Sequence, residues 1–277
     1  MNKVNLHKLT KRIIPPVLID IYHNICKSGM SSPIRWTGNY KFWDEALLES
    51  SGYDSPIILE KVKEASLKVK NNEAIFERDS KLFYLEEYTW PLISWLLKIS
   101  LEKGNKLTII DFGGSLGSTY YQNRRFISSV KYLKWNIIEQ QQFVNIGKEF
   151  FEDDTLKFYL SIDESLLTHD PDVILLSGVL QYLEEPYLLL KKLFHIGFTY
   201  IILDRTSFTN AKKDLLTIQH VPDEIYSAKY PCWFFNEETL KSLFSQSYNL
   251  EYSFPALDRS NLSNTFFKGF VFKRKQC

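Results

Sequence analysis

Short apolar runs alternate with longer amphipathic stretches along the second half of the chain. The runs predict buried strands at 107–110, 135–139, 156–160, 173–176 and 200–203. The stretches between and after them predict helices at 119–130, 141–151, 182–195 and 236–246. Strands that alternate with helices are typical of a parallel sheet covered by helices on both faces.

The pattern changes on either side of this region. Residues 250–254 and 266–272 are strand-like with no helix between them, which predicts an antiparallel pair at the sheet edge. Upstream, apolar positions at helical spacing predict helices at 40–50, 56–70 and 84–101. We therefore predict an α/β fold with three parts. A Rossmann-like, doubly wound and mostly parallel sheet spans 105–277 and ends in an antiparallel C-terminal edge. A helical N-terminal extension precedes it, and its residues 38–104 cap the cleft.

Residues 1–37 read as a basic amphipathic leader. Four Lys or Arg residues within the first twelve precede a short apolar stretch that Pro15-Pro16 interrupts. The stretch is too short to span a membrane or to serve as a signal peptide. The leader is therefore either a helix that packs on the main domain or a segment that rests on a membrane surface. We expect a cytoplasmic protein, with the inner face of the membrane as the place of any lipid contact.

Composition narrows the classes of function. Hydrophobic residues make up 44% of the 277 and charged residues 24%, which favours a packed core over disorder. The 34 basic and 33 acidic side chains nearly cancel, whereas nucleic-acid binders usually carry a basic excess, so we expect no nucleic acid partner. Cys26, Cys232 and Cys277 are scattered, which predicts neither a metal site nor a disulfide framework.

A glycine-rich turn follows the first strand of the predicted sheet. Asp111 ends the strand, and Gly113, Gly114 and Gly117 precede a helix that begins near Ser118. Ligands of parallel sheets bind at the carboxyl ends of strands, and glycine lets the backbone come close to them. The spacing differs from the Gly-x-Gly-x-x-Gly of dinucleotide binders. No Gly-Lys-Ser/Thr follows, which excludes a phosphate-binding P-loop.

This turn resembles the first motif of class I S-adenosylmethionine-dependent methyltransferases, in which an acid precedes a Gly-x-Gly-x-Gly loop. Asp111, Gly113 and Gly117 match that motif by position. Ser115 stands where the middle glycine usually lies, and Gly114 comes one place early. The resemblance implies S-adenosylmethionine as the cofactor, with a loop whose backbone path departs from the family's.

Further residues match the same fold. Glu139 ends the second strand, where the family places the carboxylate that holds both ribose hydroxyls, and a carboxylate is well suited to accept two hydrogen bonds. The resemblance implies that Ser177 and Gly178 lie beside the methionine moiety, with Gln181 where many relatives carry a histidine. Asp163, after the third strand, would reach the adenine amine.

The layout from about residue 38 onward also resembles a narrower bacterial family of methyltransferases that are often encoded among surface-polysaccharide genes. The likeness rests on the segments 43–46, 52–54, 77–80, 111–120, 177–183, 204–206 and 230–233. It implies a sugar or a glycan precursor as the acceptor. Residues 77–80 have two interpretations: a capping and ion-pair turn, or a piece of the acceptor site.

Methyl transfer from a sulfonium is an in-line displacement that needs alignment and, for a hydroxyl acceptor, a base. The segment after the fifth strand supplies the candidates Asp204, Arg205, His220 and Tyr226. His220 is the best base on intrinsic pKa, with a packing or surface role as the alternative. Asp204 and Arg205 end a strand, so they either face the cleft or form an internal ion pair.

The sequence therefore favours an enzyme that transfers a methyl group from S-adenosylmethionine to a small-molecule or glycan-type acceptor. Two alternatives stay open. One is a nucleotide-sugar or NAD-using enzyme of Rossmann type. The other is a scaffold that kept the fold but lost turnover, which the departures at Ser115 and Gln181 would explain. Nothing in these patterns indicates an oligomeric state.

Overall fold

The computed structural model describes residues 34–51, 56–223 and 225–276. These described residues belong to one compact unit. Most of the predicted leader, the matched segment 52–54, Cys26 and Cys277 lie outside the described residues. Within the described part of the chain, no helix combines the length and the apolar character needed to cross a membrane.

Helices and short strands form the first part of the fold. In chain order they are β1 (Arg35–Tyr40), α1 (Trp43–Leu48), α2 (Pro56–Lys70), β2 (Phe76–Arg78), β3 (Lys81–Phe83) and α3 (Trp90–Glu102). The extension is thus not wholly helical, because β1 and the β2–β3 pair interrupt it. The predicted helix at 84–101 begins only at Trp90, since Pro91 fits the first turn of a helix but not its interior.

Strands and helices then alternate. The elements are β4 (Lys106–Phe112), α4 (Ser118–Ile127), β5 (Tyr132–Ile138), α5 (Gln141–Ile146), β6 (Leu156–Tyr159), α6 (Ile162–Leu166), β7 (Val173–Ser177), α7 (Pro186–Ile196) and β8 (Tyr200–Thr209). A π-helical turn, Gly147–Phe151, extends α5, and a 3-10 turn, Leu180–Tyr182, follows β7. The chain continues through β9 (Leu215–Val221), β10 (Ala228–Asn236), α8 (Glu237–Phe244), β11 (Tyr248–Pro255) and β12 (Thr265–Arg274).

A mostly parallel sheet forms the centre of the molecule. Its parallel strands lie in the order β6, β5, β4, β7, β8. β12 pairs antiparallel with β8, and β11 pairs antiparallel with β12. The predicted α/β fold with an antiparallel C-terminal edge is therefore confirmed.

Both faces of this sheet are covered, as a doubly wound fold requires. Neighbouring strand residues fall into different hydrophobic clusters: Ile109 and Leu175 belong to one, Ile110 and Ile174 to the other. The first cluster includes side chains of α2, α3, α4 and α5, and the second includes side chains of α6, α7 and α8. The helices α2 and α3 therefore lie in the helix layer of one sheet face. That residues 38–104 cap the cleft stays a prediction.

An antiparallel hairpin, β9–β10, separates β8 from α8, and the sequence analysis did not predict it. β1 adds to the outer edge of this hairpin by pairing with β9. Leu216 and Ile218 pack with Ala46 of α1, while Thr217 and Gln219 alternate with them along the strand. That period of two is a strand signal, and it is consistent with residues 215–221 forming a strand.

Candidate functional site

The loop between β4 and α4 crosses a buried carboxyl group. Asp111 is 1% exposed, and its Oδ2 accepts a hydrogen bond from Trp135 Nε1 at 3.0 Å. A Cβ on Gly114 would lie 2.7 Å from the carboxyl carbon of Asp111, so the loop needs glycine at this crossing. Burial raises the pKa of Asp111 to about 7, and the charges of Glu139 and Asp204 add to the shift.

Three residues of this loop have left-handed backbone conformations. The φ angles of Gly113, Ser115 and Gly117 are 70°, 53° and 98°. A Cβ on Gly113 would lie 2.4 Å from Val179 Cγ2. Ser115, the departure from the family motif, thus adopts the conformation that a glycine takes readily. Non-glycine residues held in this region tend to cluster at functional sites.

Glu139 lies at the end of β5, beside the glycine loop. Its Oε1 accepts the Ser115 N–H at 3.1 Å, and its Oε2 accepts the Gln140 N–H at 2.9 Å. Burial raises the pKa of Glu139, while the two backbone hydrogen bonds act in the opposite direction. Each carboxylate oxygen keeps a further lone pair. The side chain is therefore held in place and can still accept hydrogen bonds from a diol.

On the other side of the loop, the ends of β7 and β8 and the 3-10 turn after β7 bring five predicted residues together. Ser177 Oγ donates to Asp204 Oδ2 at 2.9 Å, and the Gly178 N–H donates to the Asp204 carbonyl at 2.9 Å. Gln181 Nε2 donates to the Arg205 carbonyl at 3.2 Å. Asp204 is 2% exposed, and its Oδ1 has no hydrogen-bond partner among the described residues. Burial raises its pKa.

Arg205 forms an ion pair, as one of its two interpretations predicts, but its partner comes from a distant loop. Its Nη2 donates to Asp258 Oδ1 at 3.0 Å, and its Nε donates to Asp258 Oδ2 at 3.1 Å. Burial opposes ionisation of Asp258, yet the Arg205 guanidinium outweighs it and lowers the pKa of that carboxyl. The φ of Arg205 is 51°, so its backbone is strained at the cleft. Sequence reasoning missed Asp258, because nothing in its surroundings marks it.

The β2–β3 hairpin reaches the same place from the N-terminal part of the chain. Asp79 and Ser80 link its strands with φ values of 52° and 66°, as in a type I′ turn. Glu77 is 4% exposed, and its carboxylate accepts the Ser80 N–H at 3.1 Å and the hydroxyl of Ser118. Burial raises the pKa of Glu77 to about 7. Since Ser118 follows Gly117 directly, the hairpin is anchored beside the glycine loop.

A cleft of about 340 Å³, counted with its open part, lies where this hairpin meets α3, α4 and the ends of β7 and β8. Hydrogen-bonding side chains dominate its lining: Glu77, Arg78, Thr89, Ser118, Thr119, Gln122, Asn123, Ser177, Asp204 and Arg205, with Leu92 beside them. Sequence reasoning missed the α3 and α4 members, whose spacing is that of any amphipathic helix. Of the two interpretations of residues 77–80, the turn is present, and Glu77 and Arg78 also line the cleft.

Three other predicted site residues are not among those that line the cleft. His220 lies on β9, with its Nε2 2.7 Å from Thr37 Oγ1 of β1 and its side chain on the face opposite to Gln219. Asp163 is exposed and pairs with Lys192 Nζ at 2.6 Å, so its adenine contact stays a prediction. Tyr226 is 2% exposed; burial raises its pKa, and the hairpin residue Asp79 adds to the shift.

Among the described residues, neither a cysteine nor a cluster of metal ligands lines this site. Cys232 is a free, buried thiol on β10, and burial raises its pKa to about 12. The described residues contain no group of three or more His, Cys, Asp or Glu side chains that could hold a metal ion.

The chain matches no protein-family model, and no curated protein matches it in sequence. Similar solved structures exist at low identity. One is the N-terminal domain of EvdMO1 in the presence of SAH and D-fucose, with 12% identity, coverage of 77% of this chain and 97% of that chain, and a TM-score of 0.46.

Two further similar structures carry methyltransferase names. Magnesium protoporphyrin IX methyltransferase from Synechocystis PCC 6803, with bound SAM, has 12% identity, covers 99% of this chain and 100% of its own, and has a TM-score of 0.43. An S-adenosylmethionine-dependent methyltransferase from Clostridium acetobutylicum ATCC 824 has 10% identity, coverage of 69% and 94%, and a TM-score of 0.47. Likenesses this distant extend no activity to this chain.

Proposed function

We propose that this protein transfers a methyl group from S-adenosylmethionine to a small-molecule acceptor. One observation carries the proposal: the glycine loop and the Glu139 carboxylate meet at the carboxyl edge of adjacent parallel strands. The Ser115 and Gln140 N–H groups hold Glu139 in a position where its carboxylate could accept two hydrogen bonds from a ribose diol. The glycine-like backbone at Ser115 supports a close approach of the ligand despite the missing middle glycine.

The opposite side of the loop supports the chemistry of transfer. When bound, the cofactor supplies a methyl group on a sulfonium, which a nucleophile displaces in line. Glu77 and Asp204 line the cleft, and burial raises the pKa of both, so either is suited to take the proton of a hydroxyl acceptor. Arg205 and Tyr226 would orient the acceptor. The position of His220 on the far face of β9 does not support its role as the base.

Calorimetric titration tests the cofactor directly. S-adenosylmethionine and S-adenosylhomocysteine should bind with micromolar dissociation constants, and NAD should not bind. Glu139→Gln should weaken both sulfur ligands about tenfold or more, because hydrogen bonds to a charged group are lost. Glu149→Gln is the matched control, since Glu149 is exposed on the π-helical turn after α5.

The other outcomes separate the alternatives. Binding of NAD without either sulfur ligand would favour a Rossmann-type NAD enzyme and contradict the proposal. Binding of the sulfur ligands with no methylated product from any acceptor would favour the inactive scaffold. Absence of binding by all three ligands would remove the methyltransferase function.

For the acceptor, we propose a glycan-type molecule and a place in surface-polysaccharide synthesis. The polar lining of the cleft supports an acceptor rich in hydroxyl groups, because such a ligand can satisfy many donors and acceptors at once. Incubation with labelled methyl donor and a panel of monosaccharides, nucleotide sugars and apolar alcohols tests this. Labelling of the apolar alcohols alone would contradict it.

We further propose a cytoplasmic protein whose residues 1–37 touch the inner face of the membrane. The support is the cluster of basic residues beside an apolar stretch in this segment. Co-sedimentation with anionic liposomes should be stronger for the full chain than for a chain that begins at Gly38. Equal pelleting of the two would contradict the contact.

A further inference from the structure

An apolar patch lies on the surface where the chain between β3 and α3 passes α4. Its members are Tyr84, Leu85, Tyr88, Trp90 and Phe126. The rings of Tyr88, Trp90 and Phe126 contact one another, with centroids 4.9, 5.1 and 5.2 Å apart. Tyr84, Leu85 and Trp90 nevertheless remain 66%, 68% and 54% exposed. Large apolar side chains grouped on a protein surface indicate an interaction site.

This apolar patch borders the cleft. Thr89, which lies between Tyr88 and Trp90 in sequence, is one of the residues that line the cleft. Gln122 of α4 lines it as well, and its Nε2 donates to the Glu87 carbonyl at 2.6 Å. That hydrogen bond holds the segment before α3 against the cleft wall. A ligand that extends out of the cleft past Thr89 therefore reaches the apolar patch.

The size and the charge of the apolar patch favour a small ligand over a larger partner. Its three exposed side chains offer roughly a few hundred Å², whereas a standard protein interface takes about 800 Å² from each partner. Anionic membranes attract clusters of basic residues. Here Glu86 pairs with Arg125 at 2.8 Å and Glu87 with Arg78 at 3.7 Å, so acids balance the arginines beside the patch.

We propose that the methyl acceptor is amphiphilic: its hydroxyl-bearing part enters the cleft, and an attached alkyl, prenyl or aryl group lies on Trp90 and Leu85. This inference rests on the proposed function and narrows the acceptor to sugars or other polyols that carry such a group. The polar lining of the cleft accommodates the hydroxyl groups. Burial of the apolar group against the patch stabilises the bound acceptor in proportion to the apolar area removed from water.

Alkyl β-D-glucosides that differ only in chain length provide the test. Methyl, hexyl and octyl glucoside are titrated calorimetrically, below the concentrations at which they form micelles, into the full chain saturated with S-adenosylhomocysteine. From hexyl to octyl glucoside, the affinity should rise about two- to fourfold for each added CH₂, because each one buries apolar surface. Methyl glucoside should bind at least about tenfold more weakly than octyl glucoside.

Two variants locate the alkyl chain on the protein. Trp90→Ser should weaken octyl glucoside about tenfold and Leu85→Ser about threefold, because each removes part of the apolar patch, and neither should weaken methyl glucoside. Leu167→Ser is the matched control for Leu85→Ser, since Leu167 is 86% exposed at the end of α6. It should leave every affinity unchanged. The affinity for S-adenosylhomocysteine reports whether each variant is folded.

Each other outcome counts against the inference. Equal affinities of methyl and octyl glucoside for the unaltered chain, or no binding of octyl glucoside, would overturn it and leave the proposed function standing. An advantage of octyl glucoside that survives in both Trp90→Ser and Leu85→Ser would overturn it as well. A change of oligomeric state or of liposome co-sedimentation in Trp90→Ser would assign the apolar patch to a second copy or to a membrane instead. Absence of S-adenosylhomocysteine binding to the unaltered chain would remove the proposed function itself.

Discussion

The two sides of the site are built from different kinds of contact. On the β4–β5 side, Asp111, the glycine loop and Glu139 meet because their strands pair in parallel, and backbone N–H groups make the key hydrogen bonds. On the cleft side, where the β2–β3 hairpin meets the ends of β7 and β8, side chains far apart in sequence meet: Ser118 and Glu77 are separated by 41 residues, Arg205 and Asp258 by 53. We therefore expect both sides to respond to charge, and the first side to respond to sterics as well. Four changes test that comparison.

The largest effect should come from pH, because both sides contain a buried carboxyl whose pKa is raised to about 7: Asp111 and Glu77. Between pH 4 and 7 the folded protein holds protons that the unfolded chain has released, so the free energy of unfolding falls as pH rises and levels off above 7. A shift of about three units at Asp111 corresponds to at most about 4 kcal/mol. Chemical denaturation from pH 4 to 8 tests this. In Asp111→Asn the free energy of unfolding should fall by up to this amount less than in the unaltered chain.

Glu102 provides the control for this pH series. Lys98 and Tyr200 donate hydrogen bonds to it and lower its pKa to about 2. Its contribution to stability is therefore complete above its usual pKa and is lost only as pH falls toward 2. Glu102→Gln should leave the slope between pH 5 and 8 unchanged. If Asp111→Asn leaves the slope of unfolding free energy against pH unchanged, the raised pKa of the buried Asp111 carboxyl is contradicted.

The next effect is steric and belongs to the loop side. Gly113→Ala should lower the free energy of unfolding by about 2–4 kcal/mol, because the new Cβ meets both a left-handed backbone and Val179 at 2.4 Å. Gly104→Ala is the control, since Gly104 has a φ of 68° but open space around its Cβ position. It should cost only the backbone part, about 1 kcal/mol. Similar losses in the two variants, measured by urea denaturation, would show that the contact with Val179 relaxes freely.

A third change tests the ribose contact on the loop side. Glu139→Gln should weaken S-adenosylhomocysteine and 5′-methylthioadenosine, which lacks the amino-acid end, by the same factor, about 1.5–3 kcal/mol in binding free energy, because both ligands carry the ribose. Calorimetric titration of both ligands gives the comparison in one experiment. An effect on one ligand alone would show that Glu139 does not hold the shared ribose.

The smallest effect is expected at Asp163, at the outer rim of the loop side. Its pair with Lys192 is exposed, so Asp163→Asn should change the free energy of unfolding by less than about 0.5 kcal/mol. If the carboxylate also reaches the adenine amine, both ligands should weaken about threefold, as for one exposed hydrogen bond. Unchanged affinities for both ligands would remove Asp163 from the cofactor site.

The sequence predicted the regular part of the fold well, because hydrophobic periodicity and turn-forming residues are local properties of the chain. The helix at 56–70 and the strand starts at 156, 173 and 200 agree with the structure. It did not predict β9 or β10, which lie between the predicted strand at 200–203 and the predicted helix at 236–246. The period-two signal at Thr217 and Gln219 becomes decisive only in the structure, where β1 pairs along the edge of β9 and α1 packs on the opposite face of that strand.

For the site, the sequence by itself determined the loop from Asp111 to Gly117 and the acid at Glu139. Each signal, an acid at a strand end or glycines in a turn, lies within a few consecutive residues. Parallel pairing of β4 with β5 then places the glycine loop beside Glu139. Only the tertiary structure decided that Ser115 takes a left-handed conformation, that Arg205 pairs with Asp258, and that the β2–β3 hairpin brings Glu77 and Arg78 to the cleft. The physical reason is that charged side chains carry no periodic signal, and packing of distant segments on the sheet sets which of them meet.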